Sequence, residues 1–358
     1  MKIADHVMMT MIFGTLLCGC TADVSQSQKQ VSSQPKIVNG EQAAVEEFPF
    51  MVSIKRKTTT LLRNVATGQT EDTQVVFSHV CGGTLIADNL VLTAAHCLEE
   101  FVTSNDDDMR ADVLPCDAGS TCMELVQIIH KGGSLFVGEY SMIDESEAEA
   151  HEFSSSDIII HPEYHKKTAQ NDIAVIKLKT PTLRKAAVLG RLERDRQDQN
   201  SHPLTVIGFG RQYGPLEDAA GRALFPTVLQ KAQVPVVEPS LCKKHYENLK
   251  SRRVIDEKVI CAGDYYTWEE QQELLRAAGK DDAKVPQDKP LKRDACNFDS
   301  GGPLLESKTS KNQRVYEVVG IVSWGIGCAV NPGVYTRIEA FESFLAPIAA
   351  ISSSKSAA

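Results

Sequence analysis

From Met51 to Arg337 the chain is cut into short apolar or alternating runs, and that rhythm constrains the fold more than any other feature. The first set is Met51–Ile54, Val75–His79, Gly83–Ile86, Leu90–Thr93, Asp157–Ile160 and Ile173–Lys177. The second is Leu204–Gly208, Gln233–Val237, Val259–Ala262, Val315–Val322 and Gly333–Arg337. Short apolar or alternating runs of strand length, broken by Gly, Pro and Asn, are the pattern of an all-β sandwich or barrel. Helical signals are confined to Phe341–Ile351 and to one insertion. There Thr267-Trp-Glu-Glu270 has the form of a capping box, Gln271–Ala278 consists of helix formers, and Gly279 supplies a stop. The charged stretch 280–293 reads as a solvated loop, and there are no internal repeats.

The ends of the chain read differently. Val7–Leu17 is apolar but too short to span a bilayer, so residues 1–20 form a targeting segment. Leu17-Cys-Gly-Cys20 resembles the lipobox of bacterial lipoprotein signals, with Cys20 as the lipidated residue; a simple secretory signal is the alternative. Residues 21–36, rich in Ser, Gln and Val, read as a linker or pro-segment, 37–351 as one domain, and 352–358 as a disordered tail. Of 10 cysteines, those outside the targeting segment are even in number, which in an exported chain reads as disulfides. None has zinc spacing. A net charge of −9 argues against nucleic acid, which usually needs a basic face, and a membrane enters only through a lipid anchor on Cys20.

Three motifs carry chemistry. Asp294-Ala-Cys-Asn-Phe-Asp-Ser-Gly-Gly-Pro303 places Ser300 in a tight turn, Thr93-Ala-Ala-His-Cys97 presents His96, and Asn171-Asp-Ile-Ala-Val175 presents Asp172. A serine hydroxyl is a weak nucleophile until a neighbouring base takes its proton, and that base works best when a carboxylate fixes its tautomer. With Ile37-Val-Asn-Gly40 upstream, these motifs make the chain similar to the trypsin-like serine proteases of the chymotrypsin family from Ile37 to Ile351. The resemblance implies an all-β fold: two six-stranded antiparallel β-barrels, about 37–191 and 192–337, followed by a C-terminal α-helix. It implies a serine endopeptidase acting on protein or peptide substrates with Arg or Lys. His96, Asp172 and Ser300 are then the catalytic triad, and the backbone N–H groups of Phe298 and Ser300 the oxyanion hole.

Phe298 departs from the family, where glycine is usual. A side chain there crowds the leaving-group side of the cleft and, if glycine's backbone angles are required, strains the N–H. Two functions follow from it: an active enzyme with restricted inhibitor and substrate binding, or a catalytically weak or silent binding protein on the same fold. By the same resemblance, cleavage after Lys36 frees the Ile37 amine to pair with Asp299, and Asp294 forms the floor of a pocket for Arg or Lys. Gly325 and Gly333 leave that pocket open, and Ser323 and Trp324 line the substrate backbone. Ala295 stands where serine is common. That removes a hydroxyl able to solvate lysine and favours arginine, which pairs bidentately with Asp294. Lys36 is then a poor site for self-activation, and another protease is a candidate activator.

The family's bridges imply the pairs Cys81–Cys97, Cys242–Cys261 and Cys296–Cys328. Cys116 and Cys122 are left to each other by elimination. Segments 55–78, 98–134 and 265–293 exceed compact relatives and are expected to rim the cleft. No cofactor is expected. The acidic residues Glu139, Asp144, Glu145, Glu147, Glu149 and Glu152 suit Ca²⁺, which some relatives bind in the matching loop. Their spacing differs by two residues from that site, and a solvated loop is the preferred reading.

Overall fold

The computed structural model describes residues 40–103, 108–113, 123–142, 148–192, 203–210, 226–277, 292–310, 313–328 and 330–356. The readings for Cys20, Lys36, Ile37, Cys116, Cys122, Asp144, Glu145 and Glu147 lie outside the described residues.

Two curled antiparallel sheets form two half-barrels, and helices are few. In chain order the strands are β1 (Glu41–Gln42), β2 (Met51–Asn64), β3 (Thr70–Ala87), β4 (Leu90–Thr93), β5 (Asp108–Val113) and β6 (Met123–Val137). Then come β7 (Glu149–Phe153), β8 (Ile158–Ile160), β9 (Ala174–Lys177), β10 (Val188–Leu189), β11 (Leu204–Gly208) and β12 (Gln230–Val234). The last are β13 (Val236–Val237), β14 (Val259–Ala262), β15 (Pro303–Ser310), β16 (Gln313–Trp324) and β17 (Gly333–Arg337). One sheet runs β5-β6-β2-β3-β4-β9-β8 with β7 on β6; the other runs β1-β12-β11-β15-β16-β17-β14-β13, with β10 parallel to β16.

Six strands per barrel was the expectation; among the described residues the sheets hold eight and nine. The extra strands have two origins. Short straps from the first half reach over: β1 pairs β12, and β10 pairs β16. They clasp the second sheet. The other origin is the pair of long segments 55–78 and 98–134. Instead of loops they extend β2 and β3 and supply β5 and most of β6, which stack in the order β5-β6-β2-β3 as a blade.

The apolar core explains the alternation. Met51, Val52, Ile54, Leu85, Val91, Leu92, Val175 and Ile176 are all buried to within 1%. Their cluster continues into Ile207, Leu305, Val318 and Ile321 of the second sheet, so the two halves share a core. Burying a side chain of this size contributes about 1.5–3 kcal/mol.

Of the helices, α3 (Trp268–Ala277) starts as its sequence predicts. Thr267 N–H donates to Glu270 Oε2 at 2.7 Å, and Glu270 N–H donates to Thr267 Oγ1 at 3.2 Å. α4 (Glu342–Ser356) closes the described chain, while α1 (Glu99–Thr103) is a single turn. Sequence reading missed α2 (Pro239–Asn248), whose signal was a proline at the first turn beside Glu238; that side chain accepts the Leu241 N–H at 3.0 Å. Cys242, His245 and Tyr246 share its buried face.

Candidate active site

His96 sits on a turn, Ala95–Cys97, directly after β4. Ala94 and Ala95 are fully buried, and the Cys81–Cys97 disulfide ties the turn to β3. Asp172 follows a left-handed residue, Asn171 (φ 53°), whose side-chain Nδ2 donates to Glu163 O and whose Oδ1 accepts from Lys258 Nζ. The Asp172 carbonyl accepts the Thr336 hydroxyl from β17 at 2.8 Å. The two residues meet closely. Asp172 Oδ2 lies 2.8 Å from His96 Nδ1, and Oδ1 accepts the His96 backbone N–H at 2.9 Å.

The carboxylate is buried at 1% exposure. Burial pushes the Asp172 pKa up, but the His96 charge and the hydrogen bonds from His96 and Ser323 outweigh it and hold the group below its ordinary value. Reciprocally, burial disfavours imidazolium at His96, while Asp172 more than compensates and raises its pKa above 6.5. The Ser323 hydroxyl donates to Asp172 Oδ2 at 2.5 Å. Sequence reading had placed Ser323 only along the substrate backbone; it also completes the carboxylate's bonding.

Ser300 lies in a turn pinned from several sides. Asp299 N–H donates to Cys296 O at 3.0 Å, Gly301 N–H to Val322 O at 2.8 Å, and Gly82 N–H of β3 to Ser300 O at 2.7 Å. Ser300 and His96 line one cavity of about 550 Å³. No hydrogen bond joins their side chains among the described residues; free enzymes of this chemistry often tighten that contact only when substrate arrives.

Asp294, Ala295, Ser323, Trp324, Gly325 and Gly333 line the same cavity. Asp294 is 2% exposed. A Cβ on Gly333 would stand 2.7 Å from its Oδ1, so only glycine leaves room for the carboxylate. The Cys296–Cys328 disulfide closes this wall, and Cys242–Cys261 anchors α2 behind it, where Tyr246 stacks edge-on against Trp324 at 4.7 Å. The Arg253 guanidinium also lies over the Trp324 ring, 5.0 Å from its centre, a residue no motif had flagged.

Asp299 points away from the cleft and is fully buried. Its Oδ1 accepts the Gly210 N–H at 2.7 Å and its Oδ2 the Cys296 N–H at 2.9 Å. A Cβ on Gly210 would come within 2.3 Å of the carboxylate carbon. Burial raises the Asp299 pKa to about 7 in spite of those two bonds.

Phe298 has φ 75°, the left-handed backbone that glycine normally supplies. Its carbonyl is 2.9 Å from His79 Nε2, and His79 Nδ1 is 2.7 Å from Ser53 Oγ. Burial, with Lys55 adding to it, drops the His79 pKa to about 4, so the ring is neutral. A carbonyl only accepts, so Nε2 carries the proton and Nδ1 accepts from the Ser53 hydroxyl. This Ser53–His79 support was not legible in sequence.

The acidic loop is engaged where it is described. Glu139 accepts from Lys55 Nζ at 2.6 Å, both buried; Glu149 accepts from Thr182 and lies 3.0 Å from His151; Glu152 is 3.7 Å from Lys57.

Comparison with known proteins agrees with this geometry. The family model described as Trypsin matches residues 37–272 and 280–345. The chain belongs to the trypsin family. It is 29% identical to "Trypsin Blo t 3" of Blomia tropicalis over 86% of this chain and 84% of that one, and 28% identical to a trypsin of Sarcophaga bullata over 87% of each. Mannan-binding lectin serine protease 1 of Homo sapiens is 28% identical over 72% of this chain and 30% of its own length. This family member is a serine endopeptidase, and its substrates are proteins or peptides.

Proposed function

We propose that this endopeptidase cuts after arginine, and less readily after lysine, through an acyl-enzyme on Ser300. The observation that carries the specificity is Asp294, a buried carboxylate in the cavity that also holds His96 and Ser300. In the proposed reaction Ser300 Oγ attacks the carbonyl carbon while His96 Nε2 takes its proton. Asp172 and the Ser323 hydroxyl fix the ring and stabilise the imidazolium. The tetrahedral oxyanion is met by the N–H groups of Phe298 and Ser300, each donor contributing about 3–4 kcal/mol. Collapse expels the amine, which takes the proton from His96. Water then repeats the sequence and releases the acid.

Activation by a cut after Lys36 would free the Ile37 amine to pair with Asp299. Support comes from the unusual state of that carboxylate, buried and protonated near neutrality until a cation meets it. The silent-protein reading rests on Phe298 alone. Phe298 adopts the left-handed backbone despite its side chain, with its carbonyl held by His79, which favours a working oxyanion hole. The three described disulfides favour an oxidising compartment, and hence export. Labelled fatty acid that enters the chain but not Cys20→Ser would establish the anchor.

The deciding experiment incubates the Lys36-cut protein with a peptide library. Cuts after Arg, then Lys, are expected; abundant cleavage after Leu or Phe would remove the role of Asp294. A burst of acyl-enzyme from an arginine ester, absent in Ser300→Ala, separates the enzyme from a silent binder.

A further inference from the structure

Segment 265–293 was expected to rim the cleft, yet none of its described residues lines the cavity of Ser300 and Asp294. It docks behind the cavity instead. The wall it meets, 325–333, contributes Gly325, Gly327, Cys328 and Gly333 to the lining. Three of those four are glycines, which leave the backbone free and offer no side chain with which to hold its shape. The support comes from the rear. Among the described side chains of α3, Gln271 alone is buried, and it is polar. Its Nε2 lies 2.8 Å from Tyr266 O, 3.0 Å from Asn331 Oδ1 and 3.4 Å from Val330 O. Asn331 is buried too, and its Nδ2 donates to Ile326 O across the wall. From α2, the buried His245 brings Nε2 to 2.7 Å from Asn331 Oδ1. The Tyr266 N–H donates to Val330 O at 3.0 Å, and the Tyr246 hydroxyl donates to Pro332 O. A carbonyl only accepts, so Ile326 O orients the Asn331 amide and leaves Oδ1 to receive hydrogens from Gln271 and His245. Asn331 thus closes the wall from within, while Gln271 and His245 fix Asn331 from behind.

We propose that Gln271 is a positioning residue for the specificity pocket: through Asn331 it sets the wall that aligns a substrate guanidinium with Asp294. It rests on the proposed pairing of arginine with Asp294. A planar guanidinium pairs bidentately with a carboxylate only over a narrow range of angles, so the wall beside it must be held closely. Apolar burial has no direction and would let a helix settle in several positions. An amide shared among three oxygens fixes one. Gln271 does not line the cavity, so its effect reaches the substrate only by way of the wall.

The test uses the chain cut after Lys36, with Gln271→Ala and Gln271→Glu; either variant suffices if the other does not fold. Gln271→Glu keeps the size of the side chain but turns a carboxylate towards three oxygens. The readouts are kcat and KM for an arginine anilide, the inhibition constant of benzamidine (a small planar amidinium), and a burst that counts active sites. KM and the benzamidine constant should both rise about tenfold, while kcat per active site changes by less than about twofold. A wall out of place weakens ground state and transition state alike. A merely structural role would lower the count of active sites and leave both constants where they were, and that result overturns the proposal. Asn331→Ala should shift the same two constants, and adding Gln271→Ala to it should shift them little further, since the two residues act as one unit. Independent, multiplying losses overturn the route through Asn331. A parent that hydrolyses no arginine anilide overturns the arginine reading and this proposal with it. A parent that does, with variants that match it, overturns this proposal alone.

Discussion

The two flanks of the cut bond are built on opposite principles. The acyl flank belongs to the second sheet and is enclosed: a buried carboxylate at Asp294, glycines cleared for it, and a disulfide across the wall. The leaving-group flank belongs to the first sheet and is open: a long ribbon, exposed valines and phenylalanine, and a residue with a side chain where glycine is usual. Under the proposed function one flank recognises a single charged side chain in a low-dielectric cavity, where discrimination is steep. The other offers exposed apolar surface, where discrimination is gradual. Most of the selectivity between residue types should therefore reside in the acyl flank.

Asp294→Ser should break the first half of that contrast with the largest effect. A site built to pair with a charged group loses about 10⁴-fold when one partner is removed. The measurement is kcat/KM for arginine and leucine esters: the arginine value should collapse while the leucine value changes little. Loss of both in equal measure would mean that Asp294 supports the fold of the cavity and not the choice of substrate.

Phe298→Gly tests the other flank and should act in the opposite sense. A left-handed non-glycine residue costs about 1–2 kcal/mol, held here by the His79 bond to its carbonyl. Removing the ring opens the leaving side, so a bulky protein inhibitor should bind about tenfold tighter while an arginine ester changes less. If the ester rate rises as much as inhibitor affinity, the ring was displacing the oxyanion N–H and not merely crowding the cleft.

The same division decides what the sequence could reveal. Ser300, His96, Asp172 and Asp294 were legible because their chemistry demands fixed residue types inside short local motifs. Contacts made across the chain were not. The Ser323 bond to Asp172 spans 151 positions, and the His79 bond to Phe298 spans 219. The blade was hidden for another reason. Lys57-Thr-Thr-Thr-Leu-Leu62 in β2 has no alternation, because both faces of the ribbon are partly exposed and no buried face imposes a period of two. Its run of β-branched threonines was the available hint. In α2 the turn chemistry at Glu238 and Pro239 was present in sequence, but its buried face is made of Cys242, His245 and Tyr246, which leave no clear apolar stripe of helical period.

Asp299 joins the flanks, since it stands between Phe298 and Ser300. With a folded-state pKa raised from 3.8 to about 7, the buried group binds more protons folded than unfolded across that window. Its contribution to stability is therefore fully present below the unfolded value and is lost as pH rises towards 7. Once an amine pairs with it, the folded-state value falls and the sign reverses. Urea midpoints of the chain before and after cleavage at Lys36, followed from pH 4 to 8, should diverge, with the cut chain gaining relative stability as pH rises. Parallel curves would mean that Asp299 receives no new cation, and the activation reading would fall.

The smallest expected effect compares two histidines of the first sheet, each near a cation. Lys55 adds to burial at His79, which has no carboxylate partner among the described residues, and the ring stays neutral down to about pH 4. Arg253 acts on His96 in the same direction, but the Asp172 carboxylate outweighs it and the net shift is upward. Arg253→Gln removes only the opposing charge, so the His96 pKa should rise further. Because the base must be neutral to accept the serine proton, the acid limb of kcat/KM for an arginine ester should move to higher pH. Arg253 is exposed at the cleft, so salt should shrink the difference between variant and parent. A limb that moves down, or a difference indifferent to salt, would mean that Arg253 acts through its stack on Trp324 and not through its charge.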